Sequence, residues 1–134
     1  QDLYLLMAEL ASPSEPEEVR ITADDVDRLD RYINELLNQM KLPTDFVTPG
    51  ATLASAALDV ARTVARRAER SAAKLLHRGV LQNEQTYRYL NRLSSLLYTL
   101  ARYEEVSQGV PYALVRHREP GKEPTGKDSV KKVD

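Results

Sequence analysis

The apolar positions of this chain fall into four stretches of helical spacing, separated by breaks that proline and glycine mark. In residues 2–10, DLYLLMAEL, Leu3, Leu6, Met7 and Leu10 share one face. That is the pattern of the last turns of a helix, one that begins before Gln1. Val26, Leu29, Ile33, Leu36 and Met40 follow at alternating threes and fours, a helix-packing seam. Thr22 with Asp25 resembles a capping box with Asp in place of Glu, and Pro43 stops that helix. Between Thr48 and Arg78 lies the longest stretch. Leu53, Ala57, Val60, Ala61, Val64, Ala68, Leu75 and Leu76 recur there at threes and fours. Pro49-Gly50 breaks the chain before it, Thr52 is the candidate N-cap, and Gly79 suits the left-handed residue after a helix. From Leu53 to Arg78 such a helix is about 39 Å long, and the other elements are expected to organise around it. The last stretch, from Asn83 as cap through Glu84–Val106, puts Tyr87, Leu90, Leu93, Leu97 and Ala101 on one face, with Leu96 and Leu100 at its border.

Short breaks between seam-like faces predict an all-α, up-down helical bundle. Residues 1–108 form the bundle in this reading, and 109–134 a flexible polar tail punctuated by Pro120, Gly121, Pro124 and Gly126. Residues 12–20, with two prolines and three glutamates, read as a loop.

Composition narrows the chemistry. With 42% apolar residues, the 134-residue chain can bury a core of its own, and five glycines with one Phe argue against a sheet. Having no Cys, it can form no disulfide and no thiolate metal site, and this suits a reducing compartment. No apolar run approaches the roughly 20 residues of a membrane span. No Gly-rich phosphate loop is visible, and His77 and His117 are too far apart to read as a zinc pair. A net charge of −1 argues against a broad nucleic-acid footprint. The segment from Glu15 to Asp30 holds seven acids against Arg20 and Arg28, and faces either the basic third helix or solvent.

What remains is a polar stripe on the third helix. At 3.6 residues per turn, Asp59, Arg62, Arg66 and Glu69 fall in a narrow sector with Arg70 beside it. A solvated, ion-paired face is one reading. An anion site, where arginine forks grip phosphate or an acidic partner, is the other. Asn91 and Ser94 sit close to the apolar face in the middle of the fourth helix. A buried Asn must be hydrogen-bonded, so Asn91 is either an inter-helix tie or a ligand contact. Arg88, Arg92, Ser95 and Arg102 border that face as a second strip. Phe46 stands in the loop Lys41–Gly50, where a lone aromatic usually plugs a core.

Two segments carry a resemblance. Phe46-Val47-Thr48-Pro49-Gly50, followed by Val60-Ala61-Arg62-Thr63-Val64-Ala65-Arg66-Arg67-Ala68-Glu69-Arg70, resembles the F-x-x-PGG … ARTxxRRAER signature of the PduO-type ATP:corrinoid adenosyltransferases. Tyr89-Leu90-Asn91-Arg92-Leu93-Ser94, followed by Leu100-Ala101-Arg102-Tyr103, is similar to that family's LNRLSD…LAR element. The resemblance covers residues 1 to 108. It implies a five-helix, ferritin-like bundle, cytoplasmic, assembled as a homotrimer with active sites between subunits. It further implies that Co(I) of a corrinoid such as cobalamin (vitamin B12) attacks the 5′ carbon of ATP, that triphosphate leaves, and that Mg2+ assists. Arg62 and Arg66 are the implied catalytic residues. With Glu69 and Asn91 they form the implied ATP set, Arg62 also pairing with an aspartate of a neighbouring subunit. Phe46 is implied to lie against the lower face of the corrin. No protein metal ligand, nucleic acid or membrane is implied. The family's N-terminal TKTGDxGxT segment and first helix have no counterpart in these 134 residues. Ala51 stands for the second Gly of PGG, and Ser95 for the Asp of NRLSD. The alternative is a non-catalytic trimeric helical module with an anion-binding arginine face.

Overall fold

The computed structural model describes residues 1–11, 20–112 and 114. Four α-helices make up the fold: α1 (Asp2–Ala11), α2 (Ala23–Gln39), α3 (Leu53–His77) and α4 (Glu84–Ser107). Among the described residues the only β-pairing is a single antiparallel bridge between Val47 and Leu114. The expected loop at 12–20 falls on residues outside the described ones except for Arg20, and the expected mobile tail lies outside them beyond Leu114.

Local chemistry sets the helix ends where the sequence signals stood. The Asp25 carboxylate accepts the Thr22 backbone N–H at 2.8 Å, half of a capping box at the start of α2. Thr52 and Ser55 exchange side-chain and backbone hydrogen bonds at 3.0 Å, which satisfies two orphan donors of α3. Asn83 Oδ1 accepts the Gln85 N–H at 3.0 Å and starts α4. Gly79, at φ +69°, takes the left-handed turn that closes α3.

The core is organised by α4 rather than α3, since α4 packs against both α2 and α3. Leu6, Ile21, Val26, Leu29, Ala72, Leu81, Tyr89 and Leu90 form the continuous buried cluster. The α2 seam is buried at Val26, Leu29, Ile33 and Met40, as its spacing predicts.

Two predicted faces are corrected. On α3 the buried positions are Ser55, Ala65, Glu69 and Ala72, while Leu53, Val60 and Val64 are exposed, Leu53 by 91%. The stripe is covered only toward its C-terminal end, where Ala68 and Leu75 pack against the buried cluster, while the polar side chains Asp59 and Glu69 bond to α4. On α1 only Leu6 of the predicted face is buried; Leu3, Met7 and Leu10 are exposed. Two helices thus carry apolar stripes that this chain covers only in part.

Candidate functional site

Helices α3 and α4 meet through two polar clusters, about two turns apart along α3. Arg66, Glu69 and Asn91 make the first. Glu69 is buried and both its oxygens are engaged: Oε2 by the Arg66 guanidinium, Oε1 by Asn91 Nδ2 at 2.8 Å. A buried carboxylate held on both sides is a rigid support. It leaves the Arg66 side chain 41% exposed, with donors free to face outward. Asn91 thus ties α4 to α3. Its backbone carbonyl also accepts the hydroxyls of Ser94 and Ser95, at 2.8 and 3.3 Å. Ser95, at the position of the expected carboxylate, thus turns inward to its own helix. Arg92 pairs instead with Asp30 of α2 at 2.6 Å, which answers where part of the acidic segment faces: toward α4.

The second cluster was not foreseen. Arg102, placed by sequence on a border strip, is 1% exposed and donates Nη2 to Asp59 Oδ2 and Glu105 Oε1, both at 2.8 Å. Burial opposes its charge, but the bonds and charges of Asp59 and Glu105 hold the guanidinium above its ordinary pKa. Burial and then the Glu105 charge push the nearby Tyr112 phenol up as well. The i,i+3 spacing of Arg102 and Glu105 was the available signal; Asp59 lies 43 residues away, beyond any local rule. The guanidinium carbons of Arg62 and Arg102 lie 5.5 and 5.2 Å from the centroid of the Tyr98 ring, within cation–π range.

Two cavities flank this ring. One, of about 500 Å³, is walled by Thr44–Val47 and Pro49 and floored by Asp59, Arg62, Tyr98 and Arg102. The other, of about 330 Å³, lies between α2, α3 and α4, and Arg62, Arg66, Ser94, Ser95 and Thr99 contribute its polar side chains. Their shared residues are Arg62 and Tyr98. Phe46 is 76% exposed at the rim of the first cavity, so it does not plug the core of this chain. Among the described residues no carboxylate lies within ion-pair distance of Arg62. The five residues singled out from sequence therefore form one continuous region: Phe46 against one cavity, Arg66 against the other with Glu69 and Asn91 behind it, Arg62 between. No described group of three His, Cys, Asp or Glu side chains could cage a metal ion.

Known proteins match this chain in sequence and in fold. A family model described as cobalamin adenosyltransferase matches residues 1–104. A corrinoid adenosyltransferase of Mycobacterium leprae (strain TN) is 41% identical over 118 residues, covering 81% of this chain and 61% of the relative. The corresponding enzyme of Citrobacter freundii is 39% identical, covering 81% and 62%. The chain thus spans about three fifths of the length of these relatives. A solved phenylalanine-to-alanine variant of the PduO-type ATP:corrinoid adenosyltransferase from Lactobacillus reuteri, complexed with cobalamin and ATP, superposes with a TM-score of 0.73 at 31% identity, over 87% of this chain and 66% of that one. An arginine-to-lysine variant of the L. reuteri enzyme, complexed with ATP, gives 0.72 at 28% identity over the same shares. With a family model across more than three quarters of its residues and the same helical fold, the chain belongs to the cobalamin adenosyltransferase family.

Proposed function

We propose that the protein transfers the 5′-deoxyadenosyl group of ATP to Co(I) of a corrinoid, giving adenosylcobalamin and triphosphate. The observation that carries this reading is the pair of cavities that meet at Arg62 and Tyr98, one rimmed by Phe46 and the other by Arg66. A reaction between two bound substrates needs adjoining pockets with the reacting atoms at their junction. In the step itself, the Co(I) electron pair forms a bond to C5′, the C5′–O bond breaks, and its electrons leave on the triphosphate. Cobalt is the nucleophile, so no protein base is required. The protein has to align the substrates and neutralise the leaving group.

Arg66 suits the second task. Glu69 fixes one side of its fork, and the exposed side is directed to the cavity it lines. Arg62 carries a cation without a carboxylate of its own among the described residues, in keeping with a partner on another subunit. The uncovered parts of the apolar stripes on α1 and α3 support assembly into the homotrimer in the same way. Phe46 stands exposed where it can meet the lower face of the corrin. Mg2+ would be held by the ATP phosphates and would help to neutralise the leaving triphosphate. No described helix is long and apolar enough to cross a membrane.

The experiment is direct. The intact protein, supplied with a Co(I) corrinoid and ATP, should form the cobalt–carbon product, seen in its visible spectrum. No product, with ATP still retained, would leave a non-catalytic anion-binding module. Sedimentation of the intact protein checks the trimer.

A further inference from the structure

Asp59 Oδ2 is shared by two donors on different elements. Arg102 Nη2 of α4 reaches it at 2.8 Å, and the Gly50 backbone N–H of the preceding loop at 3.2 Å. Gly50 sits at φ +87°, a conformation that side chains resist, and its built Cβ would come within 3.4 Å of Ala56. The loop therefore turns sharply where Asp59 holds it. Phe46 lies four residues earlier in that loop, on the rim of the cavity floored by Asp59 and Arg102. Arg102 is closed in by Glu105, which is 0% exposed, so its position along α4 is set independently of any ligand.

From this chain we infer that Asp59 and Arg102 are positioning residues: they latch the Phe46 loop to the α3–α4 pair and so set the height of Phe46 above the cavity. The inference rests on the reading of that cavity as the corrinoid side. Neither residue reacts. Arg102 fixes Asp59, Asp59 fixes Gly50, and Gly50 fixes the loop. The Arg66–Glu69–Asn91 support has no member in this latch, so the ATP side should not feel its loss.

The test uses the absence of tryptophan from the chain. Phe46→Trp places on the loop the one tryptophan of these 134 residues. In that background Asp59→Ala should lower the tryptophan anisotropy, and Asp59→Asn, which keeps one accepting oxygen, should restore part of it. With Phe46 in place, Asp59→Ala should raise the corrinoid KM about tenfold, the worth of one hydrogen bond to a charged group, and leave the ATP KM unchanged. Glu105→Gln is the control. It weakens the packing of Arg102 but leaves the Gly50–Asp59–Arg102 chain, so it should lower thermal stability without moving either KM or the anisotropy. Equal rises in both KM values, unchanged anisotropy in Asp59→Ala, or the same shift in Glu105→Gln would overturn the inference. If the unaltered protein forms no adenosylated product, the functional reading fails, and the anisotropy comparison alone decides the latch.

Discussion

Both polar clusters between α3 and α4 use an arginine and a buried glutamate at i,i+3, yet they are opposites in what they leave open. At Arg66–Glu69–Asn91 the arginine is 41% exposed and the carboxylate is the buried member. At Asp59–Arg102–Glu105 the arginine itself is 1% exposed and answers two carboxylates. The first cluster balances one positive against one negative charge, the second is net negative, and Arg62 lines the cavities beside both. The guanidinium of the first is open to solvent, and that of the second is closed off from it. Residue type does not separate an open arginine from a closed one; the burial of the guanidinium itself does.

The largest effect should come from breaking the closed cluster. Arg102→Leu would strand Glu105 without a charge partner in the interior and leave Asp59 with only the loop N–H. Removing one member of a buried ion pair typically costs about 3–5 kcal/mol. Denaturant unfolding should show a loss of that size, and the corrinoid KM of the protein that remains folded should rise, as in Asp59→Ala. A stable Arg102→Leu protein would mean that the buried charges are dispensable, and the contrast between the clusters would collapse.

Arg66→Lys probes the open cluster and should do the reverse. Stability should change by less than about 1 kcal/mol, as for other partly exposed ion pairs. The value of kcat/KM should fall about tenfold to a hundredfold, because one ammonium cannot copy a fork held on one side by Glu69. Normal turnover with a lysine would demote Arg66 to a surface charge.

The clusters also mark how far the sequence could be read. Helix ends were legible because they depend on neighbours a few residues away: Thr52 with Ser55, Asn83 with Gln85, Gly79 after α3. The α2 seam was legible because its burial follows spacing alone. The orientation of α3 was legible only in part: Ala68 and Leu75 of its stripe pack against the core, but Leu53, Val60 and Val64 do not. Its apolar stripe is the more hydrophobic face, but Glu69–Asn91 and Asp59–Arg102 bonds, spanning 22 and 43 residues, turn the polar sector inward. Periodicity locates a helix face without saying what covers it. Arg66, Glu69 and Asn91 were reachable through their motif, whereas the depth of Arg102 required its partner across the bundle. The cation–π contacts of Tyr98 were likewise hidden, since Tyr87, Tyr89, Tyr98 and Tyr103 all lie on the leucine-rich α4 and spacing singles out none of them.

Phe46→Ala asks whether the rim of the first cavity acts on the substrate or on the fold. At 76% exposure its truncation should change stability by less than about 0.5 kcal/mol in the free chain, unlike the 3–5 kcal/mol of a core aromatic. Turnover should drop severalfold with Co(II) and a reductant. An apolar ring against the corrin excludes an axial donor, and without that donor cobalt accepts its electron more readily. With pre-formed Co(I) the loss should be smaller. Equal losses in both assays would withdraw the role in reduction.

The smallest effect sharpens the comparison with a third cluster, intermediate in burial. Arg28 bonds Asp2 of α1 at 2.7 Å and Asp25 of its own helix at 2.6 Å, with side chains 34%, 26% and 13% exposed. Burial pushes the Asp25 carboxyl up, but hydrogen bonds from the Thr22 N–H and hydroxyl and from Arg28 outweigh it and hold the pKa below its ordinary 3.8. A depressed carboxyl stabilises the fold above its unfolded pKa, and that contribution is lost as pH falls through the folded value. Wild type should therefore exceed Asp25→Asn by about 0.5–1 kcal/mol at neutral pH, the worth of a cap interaction. The advantage should shrink once the pH drops below about 4, where the free carboxyl begins to protonate, and vanish in stronger acid. Thermal melts of both proteins across that range give the answer. A constant gap at every pH would show that Asp25 acts through shape and packing, and only the two α3–α4 clusters would then owe their standing to charge.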